Sequence, residues 1–358
     1  MTRLDFVDRR AEPAGWARDL GISREAVELY IESDVIDLHV DTFIWNRIFG
    51  YDLLRRHGRG PFDARFLGQA DLPRLREAAV GGATWVVTTN PLRSAAGRRA
   101  AILDNLERLC AIFARAPDDV AVVRNAAEYR AARTLDRHAA FIGIQGGNAL
   151  DADPAVVDEL PEGLVLRVTL VHLSSSSLGT TSSPLGRAGA GLTVRGKELV
   201  QRLEAKKIFA DLAHVSRLGF FDAVSVHDRT QPLIVTHTGV AGVHPHWRNL
   251  DDEQLRAIAD TGGTVGVMYQ SSFLGDSPFG GRAASIVDHL AHIVKSIGED
   301  HASLGSDWDG AIVTPRDLPT CLELPRLVEI MLRRGWTAGR IRKILGGNFL
   351  RVVAALRG

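Results

Sequence analysis

Cysteine is scarce in this sequence: Cys110 and Cys321 are the two examples among 358 residues. Two cysteines this far apart provide neither a disulfide framework nor a paired-cysteine zinc site. The sequence also lacks a run of about 18 apolar residues, so we expect no membrane-spanning helix. The first residues lack the apolar segment of a signal peptide. From these absences we expect a cytoplasmic protein that has no membrane partner.

An excess of charge of either sign is also missing, because 43 Lys and Arg residues balance 43 Asp and Glu residues. A chain with no formal net charge has no overall field to attract nucleic acid, so we expect no nucleic-acid partner. No G-x-G-x-x-G motif or P-loop follows an apolar segment, so nothing indicates a nucleotide-phosphate site. The remaining composition, 45% hydrophobic, is typical of a globular protein with a large core.

What the sequence does contain is a series of short apolar segments with the length of buried strands. Strands that are buried on both faces read as continuous apolar runs, as these do. Most of the segments are separated by a stretch with helical periodicity. The eight segments are 35–41, 83–89, 140–145, 164–171, 208–213, 232–237, 264–269 and 302–307.

Eight strand–helix units predict an α/β fold, a (β/α)8 barrel of the TIM type. A doubly wound open sheet is the alternative, but the glycine-rich phosphate loop typical of that fold is absent. We predict a single barrel domain over residues 1–358. It comprises a helical N-terminal extension (1–33), the barrel (34–322) and C-terminal helices (323–358). Within the extension, Ser23 is the expected cap of a helix.

Side chains of the kinds that bind metal ions stand at the carboxyl ends of the predicted strands. His39 and Asp41, in V-I-D-L-H-V-D, are two residues apart, so on a strand they point to the same face. Taken singly, such a histidine is more often a hydrogen-bonded loop residue, and Asp307 in D-W-D-G suits a turn. The strand ends of a barrel share one rim, however, so we expect the set to converge. The set is His39, Asp41, Gln145, His172, His214, His237 and Asp307.

Histidines and carboxylates without a thiolate suit zinc or a related divalent ion that activates water for hydrolysis. The remaining histidines lie in segments predicted as helices or loops, and we interpret most of them as structural. His244 and His246, in V-H-P-H-W-R-N-L, are interpreted as loop residues that position Arg248. The histidines interpreted as structural are His57, His138, His227, His289, His292 and His301.

Several segments, taken together and in order, resemble the renal (membrane) dipeptidases, metallopeptidases of the amidohydrolase-like barrel class. The resemblance extends from about residue 34 to residue 350. It implies a zinc-dependent dipeptidase that acts on a small dipeptide substrate. Because members of the family are often dimers, it also leaves a homodimer open. The matching segments include I-D-L-H-V-D, I-G-I-Q-G-G-N-A-L, D-L-A-H-V-S, H-P-H-W-R-N-L-D-D-E-Q-L and L-G-S-D-W-D-G.

The resemblance implies a centre with two zinc ions. His39 and Asp41 resemble the ligands of the first ion, and His214 and His237 resemble those of the second. Asp307 is counted with this set of ligands.

The resemblance also implies three roles toward the substrate. His172 looks like the residue that polarises the scissile carbonyl. Arg248 would bind the free carboxylate of the substrate, a task that suits a guanidinium fork. Asp307 would accept the proton of the attacking water and then deliver it to the leaving amine.

One ligand position departs from the family pattern. The family has a glutamate that bridges both zinc ions, and Gln145 stands at that position here, in I-G-I-Q-G-G-N. Asn148 stands where the family usually has histidine. An amide oxygen can contact a metal ion, but it is neutral and offsets less of the repulsion between two dications.

The substitution at position 145 leaves three forms of the centre open. It could hold two ions more weakly, or one ion at His39, Asp41 and Asp307 or at the His214–His237 pair, or none. The predicted activity is hydrolysis of the peptide bond of a dipeptide with a free C-terminal carboxylate by metal-activated water. The alternatives are a related amidohydrolase with a specialised small substrate, and a non-catalytic relative that binds a small molecule.

Overall fold

The strands form a parallel sheet that curves into a nearly closed barrel. A computed structural model describes residues 3–90, 92–151 and 153–358. The strands are β1 (Ile36–Val40), β2 (Gly82–Thr88), β3 (Val120–Val122), β4 (His138–Gln145), β5 (Val165–Thr169), β6 (Phe209–Asp211), β7 (Ile234–Thr238), β8 (Thr264–Val267) and β9 (Ala302–Leu304). In these ranges the barrel order is β1-β2-β4-β5-β6-β7-β8-β9, and β3 pairs with the start of β4.

Backbone hydrogen bonds beyond the last residue of β9 join it to β1. The N–H of Asp41 donates to the carbonyl of Trp308 at 2.8 Å, and the N–H of Asp307 donates to the carbonyl of His39 at 3.1 Å. These bonds continue the parallel pairing as a bridge between Val40 and Trp308. The seam therefore brings the ends of the first and last strands, with their polar side chains, to one place.

Helices occupy most of the connections between the strands. They are α1 (Pro13–Leu20), α2 (Arg24–Ile31), α3 (Phe43–Phe49), α4 (Leu72–Glu77), α5 (Ala95–Phe113), α6 (Ala126–Thr134), α7 (Val194–Ala205), α8 (Arg217–Val226), α9 (Asp252–Ala259), α10 (Ala283–Ile297), α11 (Pro325–Arg333), α12 (Ala338–Arg342) and α13 (Asn348–Arg357). A π-helical segment, Lys343–Gly347, joins α12 to α13. In the described part of the chain, none of the helices combines the length and the apolar character needed to cross a membrane.

Polar side chains cap the first turn of several helices, and the predicted cap Ser23 is one of them. The hydroxyl of Ser23 accepts the N–H of Ala26 at the start of α2, and Asp71 caps α4 in the same way. Asp251 forms a capping box at the start of α9. Each cap satisfies an N–H that has no partner within its helix, which contributes about 1 kcal/mol.

Apolar side chains fill the end of the barrel at which the strands begin. Phe141 of β4, Phe209 of β6 and Ile234 of β7 are buried in one cluster with Phe349 of α13. The rings of Phe141 and Phe349 meet edge to face, with centroids 5.5 Å apart. The C-terminal helix thus contributes to the core at this end and leaves the other end for polar groups.

The predicted (β/α)8 fold is confirmed, and each of the eight predicted strands is present. Six are shorter than predicted, β2 is shifted by one residue, and β4 begins two residues earlier. The sequence does not indicate β3, because three residues are too few to show a pattern, and it does not predict α3. His138 was placed in a helix or loop, which is wrong: it begins β4 and is buried. Its Nδ1 lies 3.0 Å from the carbonyl oxygen of Val80. The division into an extension, a barrel and C-terminal helices stays a prediction.

Asp309, in the turn after β9, binds the chain that leads into α4. Its buried carboxylate accepts the N–H groups of residues 68–70 at 2.7, 2.9 and 3.2 Å. It also accepts the hydroxyl of Thr42 at 2.7 Å. One carboxylate therefore fixes two loops at the rim of the barrel.

We predict that Asp309→Ala lowers the free energy of unfolding by about 3 kcal/mol, because buried N–H groups then lose their acceptor at about 1–3 kcal/mol each. Urea unfolding followed by tryptophan fluorescence measures the change. The control is Asp104→Ala on α5, where the side chain is exposed and the expected change is within about 0.5 kcal/mol. Equal stabilities of the two variants would contradict the anchoring role.

Candidate metal centre

Five of the predicted site residues meet at the carboxyl end of the barrel. His39, His237 and Asp307 each place one possible ligand atom within 4.8 Å of the others, and all three are buried. The Nε2 of His39 lies 3.4 Å from Oδ2 of Asp41 and 3.5 Å from Oδ1 of Asp307. The Nε2 of His214 lies 2.8 Å from that of His237. The predicted convergence of strand ends is therefore present.

The other predicted residues border the same centre. In the orientation that satisfies its hydrogen bonds, the Gln145 amide nitrogen lies 3.0 and 3.1 Å from the two carboxylate oxygens of Asp41. The half-buried ring of His172 meets His214 edge to face, with centroids 4.8 Å apart. Asn148 follows in a short helical turn after β4.

A cavity of about 280 Å³ opens beside these groups. His172 and Arg248 line it together with Asp41, Gln145, His214 and Asp307. Most of its remaining wall is apolar, which favours a small organic molecule held by a few polar groups. The larger apolar lining residues are Ile44, Trp45, Leu173, Trp247, Met268, Phe273 and Ile312.

Arg248 is held rigidly at the wall of this cavity. Its Nη2 donates to the carbonyl of His237 at 2.5 Å, and its own carbonyl accepts the hydroxyl of Thr238 at 2.9 Å. Its backbone N–H donates to Nδ1 of His246 at 3.2 Å, and His244 stacks on His246. Burial lowers the pKa of Arg248 to about 10, so the guanidinium stays charged at neutral pH.

Two residues of the centre have a left-handed backbone conformation, which is unfavourable for residues other than glycine. His214 has a φ of 66° and Asp307 a φ of 64°. Each such residue costs about 1–3 kcal/mol and persists where its surroundings determine it. At Asp307 the bond to the carbonyl of His39 does so, and at His214 the carbonyl accepts the N–H of Ser182 at 2.7 Å. The rim is therefore strained at the residues expected to carry chemistry.

Burial controls the charge of the centre. It lowers the pKa of His39, His214 and His237 well below the usual value, so these imidazoles are neutral. Burial raises the pKa of Asp41 to about 6. The pKa of Asp307 is raised well above its usual value by burial and then by repulsion from Asp41. The imidazoles are therefore already in the form that binds a divalent ion, whereas Asp307 must release its proton on binding one.

A buried ion pair, which is not predicted from the sequence, lies next to the centre. Arg167 Nη1 lies 3.0 Å from Oδ2 of Asp211 and 2.6 Å from Oγ1 of Thr169. Its Nη2 lies 2.7 Å from Nδ1 of His39. The available signal was a charged residue within each of two apolar strand segments, L-V-L-R-V-T-L-V and I-F-A-D-L-A.

The hydrogen bonds of His237 suit a metal ligand. The hydroxyl of Thr236 donates its one proton to Asp211 at 2.7 Å. Its oxygen, 2.9 Å from Nδ1 of His237, must therefore accept an N–H from that nitrogen. This leaves a lone pair on Nε2 of His237, and such outer support is typical of metal-binding histidines. The Nδ1 of His214 is buried and has no hydrogen-bond partner among the described residues.

A (β/α)8 barrel with neutral histidines and carboxylates gathered at the carboxyl ends of its strands defines a class, the metal-dependent hydrolases with a TIM-type barrel. The model of the membrane dipeptidases, peptidase family M19, matches residues 23–357. The chain therefore belongs to this family of metallopeptidases.

Comparisons with individual proteins find one relative by sequence and two similar folds. The chain is 38% identical over 172 residues to a Klebsiella pneumoniae protein from the pqqA 5′ region, a match that covers 46% of this chain and 61% of that protein. Its fold is similar to that of the dipeptidase-type protein PvdM from Pseudomonas aeruginosa, with a TM-score of 0.82, 18% identity, and coverage of 95% of this chain and 99% of that one.

A second similar fold is that of a Rhodobacter sphaeroides metallopeptidase, whose structure contains a phosphinate mimic of the dipeptide L-Ala-D-Ala. The TM-score is 0.79 and the identity 24%, with coverage of 90% of this chain and 99% of that one. At these identities, the two structural likenesses concern the fold.

We predict that Asp211→Asn lowers the free energy of unfolding by about 3–5 kcal/mol, because it leaves the buried charge of Arg167 uncompensated. The double variant Arg167→Met/Asp211→Asn should recover more than half of that loss, since it removes both charges. Urea unfolding followed by circular dichroism measures both variants. The control is Asp260→Asn, at the exposed end of α9; if Asp211→Asn matched this control, the pair would not stabilise the barrel.

Proposed function

We propose that this protein hydrolyses the peptide bond of a dipeptide, or the amide bond of a similar small N-acyl amino acid, with the help of a bound zinc ion. The observation that carries the proposal is the position of Arg248, a buried guanidinium on the wall of the cavity that contains the histidine–carboxylate cluster. A single buried cation in a largely apolar cavity favours a small substrate with one free carboxylate.

Arg248 is proposed to bind that carboxylate. Its Nε is buried and has no hydrogen-bond partner among the described residues, while Nη2 is already bound to a carbonyl. A bound carboxylate would supply the missing acceptor. Binding at this point would also place the amide bond toward the cluster, so that short substrates fit and the interior bonds of long chains do not.

His172 and Asp307 are proposed to act at the scissile amide. His172 lines the cavity, and burial lowers its pKa to about 4, so it is neutral and can donate an N–H to the carbonyl oxygen. Asp307 is proposed to take the proton from the attacking water and pass it to the leaving amine. The hydrogen bond from the N–H of Asp307 to the carbonyl of His39 holds this residue in its strained backbone conformation.

The metal ion would be held among the buried histidines and carboxylates of the centre, where His214 and His237 offer ring nitrogens and Asp307 offers an oxygen. A divalent ion bound there supplies a Lewis acid and lowers the pKa of water. The membership in a metallopeptidase family supports this proposal. The likeness to a metallopeptidase whose structure contains a dipeptide mimic supports the substrate class.

A second candidate function is metal-independent binding of a small carboxylate. The hydrogen bonds between the Gln145 amide and Asp41 favour it, because they satisfy a carboxylate that a metal ion would otherwise compensate. A metal-free protein that binds dipeptides but does not cleave them would support this candidate.

We predict that the protein loaded with zinc hydrolyses members of a panel of L,L and L,D dipeptides, that a chelator abolishes turnover, and that added zinc restores it. The matched control is the same panel with an amidated C-terminus, which should not be cleaved because Arg248 then has no carboxylate to bind. Release of free amino acids measures the rates. No turnover on any member by folded, zinc-loaded protein would contradict the proposed activity.

We further predict that Arg248→Ala raises KM by about 10- to 100-fold, the loss expected for a hydrogen bond between charged groups, while the zinc content stays unchanged. The control is Arg229→Ala, whose side chain is exposed between α8 and β7 and which should leave KM unaltered. Steady-state kinetics and elemental analysis give the two readouts. A variant that loses its zinc and keeps its KM would show that the proposed role of Arg248 is wrong.

A further inference from the structure

We propose that the centre binds one divalent metal ion, at His214, His237 and Asp307, and that the guanidinium of Arg167 stands in place of a second cation beside His39. The inference rests on the proposed metal dependence of the protein and is independent of the choice of substrate. It selects one of the forms that the substitution at position 145 leaves open.

The surroundings of the Arg167 guanidinium provide both hydrogen-bond acceptors and space for it. The side chain is fully buried, and Asp211 and Thr169 accept its hydrogen bonds. On the adjacent strand, a Cβ added to Gly143 would lie 2.9 Å from Nε and 3.2 Å from Cζ of Arg167. The glycine thus provides the space in which the cation lies, and the cation is a fixed part of the barrel interior.

Arg167 determines which nitrogen of His39 carries the proton. A guanidinium has donors and no acceptor, so Nδ1 of His39, 2.7 Å from Nη2 of Arg167, must accept. The proton of the neutral ring is then on Nε2, which faces Asp41 at 3.4 Å and Asp307 at 3.5 Å. A nitrogen that carries a proton does not bind a metal ion. His39 therefore acts as a hydrogen-bond donor, although its position alone would suit a ligand.

Gln145 acts on Asp41 as Arg167 acts on His39. Its amide nitrogen is close to both carboxylate oxygens of Asp41, at 3.0 and 3.1 Å. A glutamate in this position would place two carboxylates against each other and require a cation between them. With glutamine, the side-chain N–H groups of Gln145 donate to the carboxylate of Asp41 and stabilise its negative charge. Both residues that the family resemblance assigns to the first zinc ion are thus satisfied by the protein.

In the other half of the centre, Nε2 of His214 and Nε2 of His237 lie 2.8 Å apart and can hydrogen-bond only to each other. No other group fixes the proton of His214 on Nε2, so this proton can move to Nδ1 when an ion replaces the contact. Thr236 fixes His237 with the lone pair on Nε2, and Nδ1 of His214 is buried without a partner among the described residues. Asp307 lies within reach of His237 and has no guanidinium or amide hydrogen-bonded to its carboxylate in the described part of the chain. One dication here would be compensated by the carboxylates of Asp41 and Asp307 once Asp307 has released its proton, and a second dication would be opposed by Arg167.

The test is the number of ions bound per chain. Metal-free protein is titrated with Zn²⁺ in a calorimeter, and the dialysed product is analysed for zinc. We expect one ion per chain in the native protein and in His39→Gln, and at least a 100-fold loss of affinity in His237→Gln. Circular dichroism checks that each variant is folded.

Substitutions at the two compensating positions test the reason for the single ion. The double variant Arg167→Met/Gln145→Glu should bind two ions per chain, because it frees His39 and restores a bridging carboxylate. If it does not fold, the ¹⁵N chemical shifts of the His39 ring in the native protein give the answer, since a proton on Nε2 with zinc bound is required.

The outcomes separate this inference from the proposed function. Two ions in the native protein, or loss of the single ion in His39→Gln with retention in His237→Gln, would overturn the inference and leave metal-dependent hydrolysis standing. A His39 ring with its proton on Nδ1 would overturn it as well. A native protein that binds no zinc would overturn both.

Discussion

The ion pair between Arg167 and Asp211 is the interaction on which the interior of the barrel depends. Asp211 accepts five hydrogen bonds, from Arg167, Thr169, the N–H of Ala213, and both the N–H and the hydroxyl of Thr236. Burial alone would raise the pKa of this carboxyl, but Arg167 and the hydroxyl groups hold it below its usual value. One carboxylate thus orients donors from three neighbouring strands.

The ion pair fixes the ring proton of two neighbouring histidines, His237 and His39, on different nitrogens. The hydroxyl of Thr236 donates to Asp211 and accepts the N–H of His237 Nδ1, so Nε2 of His237 has a lone pair that faces the centre. Arg167 donates a hydrogen bond to Nδ1 of His39, so the proton of the His39 ring is on Nε2. The two histidines therefore have different roles in the proposed centre: His237 is a metal ligand, and His39 is a hydrogen-bond donor. Residue type and position alone do not separate these two roles.

This difference explains how far the sequence could predict the structure. The strands and their helices were predictable because their patterns are local, and the cluster followed because strand ends share one rim. The ion pair was not, because it depends on register: Arg167 is paired with Phe209 across β5 and β6, which places Asp211 two residues further along. The sequence also does not show that the amide of Gln145 contacts Asp41. Contacts between strands carry this information.

The seam between β9 and β1 has a further consequence for the way the centre can move. The backbone of Asp41 and that of Asp307 are themselves the hydrogen-bonding groups that join the first strand to the last. Displacing either residue would open the cylinder, so the reactive groups share the rigidity of the whole sheet. Adaptation to molecules of different shape is left to the wall of the cavity, where Trp247 and Phe273 meet edge to face and take no part in this backbone pairing.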